Sequence, residues 1–207
     1  MMIKSRGPMW HKKQKQQGII PQRLRGVDKA ATWGRSNFDG WLYGHGTFMI
    51  TTHKIPVVGM FKWMPNSANE AKMMEREVIG QQQHISTVCM DSKADDQELF
   101  YRLKKEHKIK LITVPRKGMD KSESRKKYIK EMLTKKNKEQ YKKRSITVEP
   151  MQAIMKDIFE LDTCWMRGDE SNRWLFAAMG VAVQQAQWEA FKNKSSTWKI
   201  KSNVLGL

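Results

Sequence analysis

The chain has 207 residues, enough for one domain with a real core, and its 39 Lys and Arg exceed its 21 Asp and Glu by a formal 18 positive charges. Such an excess points to a polyanionic partner, nucleic acid first, with anionic membranes and acidic proteins behind it. No apolar run is long enough to span a bilayer, and no continuous apolar segment of signal-peptide type follows the first basic residues. Cys89 and Cys164 fit no metal or redox spacing and lie in apolar surroundings, so both are expected to be reduced core residues of a cytoplasmic protein.

Residues 1–43 read as a basic, loop-rich region, because Gly7, Pro8, Gly18, Pro21, Gly26, Gly34 and Gly40 interrupt every periodic pattern. Lys4, Arg6, Lys12, Lys13, Lys15, Arg23 and Arg25 are interleaved there with Trp10, Trp33 and Trp41. Such aromatics either stack on bases beside clamped phosphates or anchor a long loop to the domain. From Gly44 the pattern changes to β-rich runs over 46–52 and 57–64, joined by His53-Lys-Ile-Pro56 as a hairpin. A helix is predicted over 68–81, a short apolar strand over 85–90, a helix over 95–107 with Leu99, Phe100 and Leu103 inward, and a strand over 110–114 halted by Pro115. This order predicts an α/β sheet with a parallel portion. Asp91 then stands at the C-terminal end of a buried strand, where α/β sheets place their sites, although it could equally cap the following helix, as could Ser92, Asp95 or Asp96.

Residues 116–144 carry 13 Lys and Arg against four Asp and Glu, a density that suits a DNA backbone track and otherwise marks a solvated face or flexible loop. The basic lead-in Tyr141-Lys-Lys-Arg144 opens an amphipathic helix in which Val148, Met151, Met155 and Ile158 form an apolar stripe. Glu149 and Lys156, two turns apart, lie along one polar edge of it. A carboxylate among cations suits phosphodiester chemistry, one group for a metal ion and the others for phosphate. A long helix near 171–192 follows, with Trp174, Ala178, Val181, Gln185 and Trp188 as a stripe expected to pack on the sheet, and residues 195–207 are expected to fray.

The spacing of Tyr141, Arg144, Glu149 and Lys156 resembles the Tyr-Arg-Glu-Lys signature of DDE transposases of the insertion-sequence-four (IS-four) group, with the Arg–Glu gap one residue longer than usual. The resemblance runs from about Ile3 to Phe191 and takes in Trp33-Gly34, Tyr43-Gly44-His45-Gly46 and Trp165-Met-Arg-Gly168. It implies a ribonuclease-H-like mixed sheet flanked by helices over 44–194, with 116–144 as a basic insert too short for a large β-rich insertion domain. In that fold three acidic residues hold two Mg²⁺ (or Mn²⁺) ions about 4 Å apart for in-line attack on a phosphodiester. Asp91 and Glu149 match the second and third, which makes them the implied metal-binding and catalytic residues, with Tyr141, Arg144 and Lys156 on the DNA phosphates. The first aspartate would lie just upstream of Met1, because Asp28 and Asp39 sit in Gly-rich loops; the first strand is therefore expected to be missing. The implied function is a transposase fragment acting on double-stranded DNA, cytoplasmic and nucleoid-associated, with room for a homodimer. The alternative is a catalytically dead DNA-binding remnant or regulator of its parent element.

Overall fold

The computed structural model describes residues 1–20, 22–36, 40–116, 122–200 and 202, so Pro21, Asp39, Gly118 and Met119 of the sequence reading lie outside the described residues. The chain divides into two compact units, one formed by Met1–Ala68 with Thr147–Leu207 and the other by Asn69–Ile146.

The first unit is built on one long strand, β3 (Gly40–Thr51). Along one of its edges runs β1 (Met2–Lys4), antiparallel, with Ile3 opposite His45. On the other edge β2 (Thr32–Ser36) and β4 (Val58–Pro65) pair antiparallel with successive lengths of the same strand. Residues 42–48 of β3 are buried without alternation, as befits a central strand covered on both faces. Gly44 is required there: a Cβ on it would lie 2.0 Å from the Ile3 carbonyl oxygen across the β1 pairing. The expected hairpin closes across residues 53–56, with the Thr52 NH donating to the Val57 carbonyl at 3.0 Å.

Residues 1–43, expected to be loops, instead contribute β1, the short helix α1 (Lys12–Gln16), a 3₁₀ turn, β2 and the start of β3. β1 is only three residues long and finds its partner some forty positions along the chain, while the five-residue β2 pairs with the adjoining start of β3, Ser36 opposite Gly40, through segments whose Gly34 and Gly40 break any alternation, so no local periodicity announces either. Two of the tryptophans are anchors. Trp10 is buried and donates its indole NH to the Ile19 carbonyl at 2.7 Å, and Trp33 donates to the Trp10 carbonyl at 2.8 Å. Trp41 is different: it is 60% exposed, with the Lys12 ammonium 5.0 Å from its ring centre.

Two helices complete this unit, α6 (Val148–Ile158) and α7 (Asp169–Lys192). Met151 and Met155 of α6 are fully buried among Ile3, Val58, Phe61 and Phe176, which realises the predicted apolar stripe. Helix α7 lies close on β4, with Phe176 edge-on to Phe61 at 5.8 Å and the Gly180 Cβ position 3.0 Å from the Phe61 Cβ. It does so through a face other than the expected one. Phe176, Met179, Gly180, Val183, Ala186 and Ala190 are buried, whereas Trp174, Ala178, Val181, Gln185 and Trp188 all point to solvent. From Trp174 to Trp188 the helix has no charged residue, so its period is compatible with either face, and the fit of Gly180 against Phe61 decides between them. The expectation of fraying after 195 is also corrected through residue 200: Ile200 is fully buried in the same core, and the Gln187 amide donates to the Thr197 carbonyl at 3.3 Å.

In the second unit α2 (Glu70–Gly80) opens on Asn69, whose side chain accepts from the NH of Ala71 at 3.0 Å and of Lys72 at 3.2 Å. Strand β5 (Thr87–Cys89), helix α3 (Gln97–Glu106) and strand β6 (Lys110–Ile112) form a β-α-β unit with β5 and β6 parallel, the parallel portion expected from the sequence. Leu99, Phe100 and Leu103 of α3 are buried as predicted. The basic stretch becomes two helices, α4 (Glu123–Met132) and α5 (Lys135–Ser145), with α5 lying against β5 and β6. The described strands and helices thus make an α/β protein with an antiparallel sheet in one unit and a parallel pair in the other. Among the described residues no helix is long and apolar enough to cross a membrane.

Candidate functional site

Asp91 follows β5 where the sequence places it, one residue past the Met90 NH that donates to the Ile112 carbonyl at 3.0 Å. It is half-buried, and its carboxylate accepts from the Lys93 NH at 3.0 Å, capping the short 3₁₀ turn Ser92–Ala94. The Thr113 hydroxyl donates to its carbonyl oxygen at 2.6 Å, tying it to the end of β6. The capping role and the strand-end position coexist in one residue. The longer helix α3 is capped instead by Asp96, which accepts from the Leu99 NH at 3.0 Å.

The stretch 141–156 is split between units. Tyr141 and Arg144, both half-buried, lie on the last turns of α5 in the second unit. Glu149 occupies the exposed first turn of α6 in the first unit, where the positive end of the helix dipole favours a carboxylate. Lys156, on the last turn of the same helix, pairs with Asp162 at 2.7 Å. The hydrogen bond and charge of Lys156 hold the Asp162 carboxyl below its ordinary value.

Helices α4 and α5 gather the largest set of cations. Lys126 and Lys104 are tied to Glu123 and Glu131. Lys127, Lys130, Lys135, Lys136, Lys138 and Lys142 are exposed and meet no carboxylate among the described residues. Ordered like this, on helices capped by Ser122 and Thr134, the lysines form a built surface rather than a loose charge run.

Two buried polar networks had no local signal in the sequence, since each joins residues far apart along it. In the second unit the Asp95 carboxylate accepts from the Arg125 guanidinium at 2.5 Å, the Arg116 NH at 2.6 Å and the Tyr128 hydroxyl at 3.0 Å. Burial alone would raise the Asp95 carboxyl, but these hydrogen bonds and the Arg125 charge carry it below its ordinary value. In the first unit Asp28 accepts from His45 at 2.7 Å and from the NH groups of Ala30 and Gly168 at 3.1 Å each. His45 in turn accepts from the Trp63 indole NH at 2.8 Å. The motif pieces around Tyr43-Gly44-His45-Gly46 and Trp165-Met-Arg-Gly168 thus meet on the carboxylate of Asp28, which is a structural joint. The Arg6 guanidinium and Arg167 guanidinium complete that joint on the Trp165 and Arg6 carbonyls, at 2.8 and 3.3 Å.

Cys164 is a free thiol pushed up to about 12 by burial and the nearby Asp28 charge, and burial also raises the free Cys89 thiol. Burial therefore favours the neutral thiol over the thiolate, the nucleophilic form, at both positions. Among the described residues no three His, Cys, Asp or Glu side chains gather into a group that could hold a metal ion. Asp91 and Glu149 are nevertheless oxygen donors of the hard type that Mg²⁺ and Mn²⁺ take.

A family model described as a transposase DDE domain matches residues 81–185, a little over half of the chain. The chain belongs to that family. In this transposase the matched span begins directly after α2, takes in Asp91, Tyr141, Arg144, Glu149, Lys156 and the whole of α4 and α5, and ends within α7. No curated protein and no solved structure matches the chain.

Proposed function

We propose that this transposase acts on double-stranded DNA in transposition, as a member of the insertion-sequence-four type with a ribonuclease-H-like arrangement, and that it works at the nucleoid. The observation that carries the reading is the set of exposed lysines on α4 and α5, Lys127, Lys130, Lys135, Lys136, Lys138 and Lys142, inside the family match and meeting no carboxylate among the described residues, in a chain with 18 excess positive charges. Ammonium groups on rigid helices bind the phosphate backbone as point charges and carry no base sequence. Tyr141, Arg144 and Lys156 are the proposed contacts to phosphates near the bond that is cut. Trp41, exposed beside Lys12, suits stacking on an unpaired base.

Replacing Lys135, Lys136, Lys138 and Lys142 together by Gln is the test of the DNA reading. Duplex affinity, read by fluorescence anisotropy over a salt series, is expected to fall uniformly across sequences. The slope of log affinity against log salt should flatten by about 0.9 for each phosphate contact removed. An unchanged slope would remove these helices from the DNA interface.

Asp91 and Glu149 are each proposed to bind Mg²⁺ or Mn²⁺, whose chemistry in such sites is to activate an attacking hydroxyl and stabilise the leaving oxygen. Titration calorimetry of the chain with Mn²⁺ is expected to show saturable binding that is reduced in Asp91→Asn and in Glu149→Gln, with circular dichroism unchanged. Glu149 lies on an exposed helix turn, so its substitution removes a ligand without disturbing the core. Saturable binding undiminished by both substitutions, or a folded chain that binds no metal, would overturn the assignment.

A further inference from the structure

The outer face of α7 is the most apolar exposed surface on any described helix. Trp174 is 74% exposed, Val181 53%, Trp188 63% and Phe191 51%, and Trp188 stacks on Phe191 with ring centres 6.1 Å apart. A monomeric surface rarely leaves a row of tryptophans bare, and rows of this kind mark contact surfaces. The face cannot be a nucleic-acid track, because no cation interrupts Trp174–Trp188 in a chain that is basic almost everywhere else. Depletion of charge around tryptophan anchors is the composition of a protein interface core.

The order of residues along the face says which protein. Trp174 and Trp188 lie seven positions either side of Val181, on one line along the helix. Glu170 and Lys192 lie eleven positions either side of it, close to the same line, and both are exposed. Laid antiparallel on a copy of itself with Val181 at the crossing, the helix sets each Trp174 against the partner's Trp188. The same register sets each Glu170 against the partner's Lys192. The small side chains of Ala177, Ala178 and Ala182 beside the crossing let the two backbones come close. Such self-complementarity about one point is what an isologous two-fold contact requires.

We propose that the outer face of α7 is a docking surface for a second copy of this chain, the two helices antiparallel about Val181. Lys192, now held by Glu189 at 3.2 Å within its own helix, would exchange that exposed pair for the partner's Glu170.

The test uses the full chain at micromolar concentration. Sedimentation velocity is expected to show a species of twice the 24.3 kDa chain mass, reduced to monomer by Trp174→Glu together with Trp188→Glu at unchanged circular dichroism. Val181→Cys should then form an intermolecular disulfide on mild oxidation, whereas Trp188→Cys alone should not. In the antiparallel register two Trp188 positions are about 21 Å apart along the axis. An equal mixture of Trp174→Cys and Trp188→Cys should cross-link. The unsubstituted chain, with Cys164 buried and Cys89 half-buried, sets the background. A monomer at these concentrations would overturn the proposal, and so would a dimer in which Val181→Cys fails to cross-link above that background.

Discussion

Asp95→Ala is expected to destabilise the second unit by about 3–5 kcal/mol, the usual cost of stripping one partner from a buried ion pair. The carboxylate is inaccessible and gathers three donors from three places: the Arg125 side chain on α4, the Tyr128 hydroxyl one turn on, and the Arg116 NH beyond β6. Without it the Arg125 guanidinium keeps its charge, its burial and its place 4.8 Å from the Tyr128 ring, and loses the group that neutralises it. The double substitution Asp95→Leu with Arg125→Met should cost less than Asp95→Ala alone, because it leaves no orphaned charge. Urea denaturation followed by circular dichroism reads both, and equal midpoints for the single variant and the wild type would refute the argument. The pH dependence has a definite sign. Since the folded carboxyl lies below its ordinary value, its contribution is fully present above about pH 4. That contribution is lost as the pH falls through the lowered value, so Asp95→Ala should flatten the acid limb of the stability curve.

The second large effect belongs to Asp28. Because the Trp63 indole NH donates to His45 Nδ1, the imidazole must carry its proton on Nε2 and donate it to the Asp28 carboxylate. Asp28→Ala leaves that buried NH, and the NH groups of Ala30 and Gly168, without their acceptor. Each such group costs about 1–3 kcal/mol, so the loss should approach that of a broken core. Asp28→Asn is the informative comparison. Its oxygen can still serve Ala30 and Gly168, but its NH₂ would face the His45 NH. Relief by switching the imidazole tautomer would place an NH against the Trp63 NH. An intermediate stability for Asn, between wild type and Ala, is therefore expected in thermal denaturation. An Asn variant as stable as wild type would show that the His45 contact contributes little. The folded Asp28 carboxyl also lies below its ordinary value, burial being outweighed by the bonds from His45 and the two NH groups, so acid weakens this joint in the same direction.

The parts of the molecule legible from sequence are those governed by neighbours a few positions apart. The Met151 and Met155 stripe of α6, the β5–α3–β6 order with Asp91 past its first strand, and the inward face of α3 all follow from local periodicity. The Tyr-Arg-Glu-Lys spacing led to the transposase family. What stayed hidden depends on distant partners. The pairing of Ile3 with His45 turns an unpromising Gly-rich beginning into sheet, and the contact of Gly180 with Phe61 turns α7 so that its tryptophans face outward. Asp28 and Asp95, read as a loop residue and one of several caps, are the charged centres of two buried networks, because the histidine and arginine they need lie elsewhere in the chain.

The way the chain is partitioned also sets an order for its synthesis. The second unit draws on one continuous run, Asn69–Ile146, so every residue of its core is available as soon as that run has left the ribosome. The first unit draws on Met1–Ala68 and Thr147–Leu207, and its strands emerge well before α6 and α7, which cover Ile3, Val58 and Phe61. Until that last third of the chain is made, β3 and β4 carry bare apolar faces, the condition under which nascent sheets pair with the wrong neighbour. The opening strands must therefore wait, and the unit that is second in the chain is the first that can close.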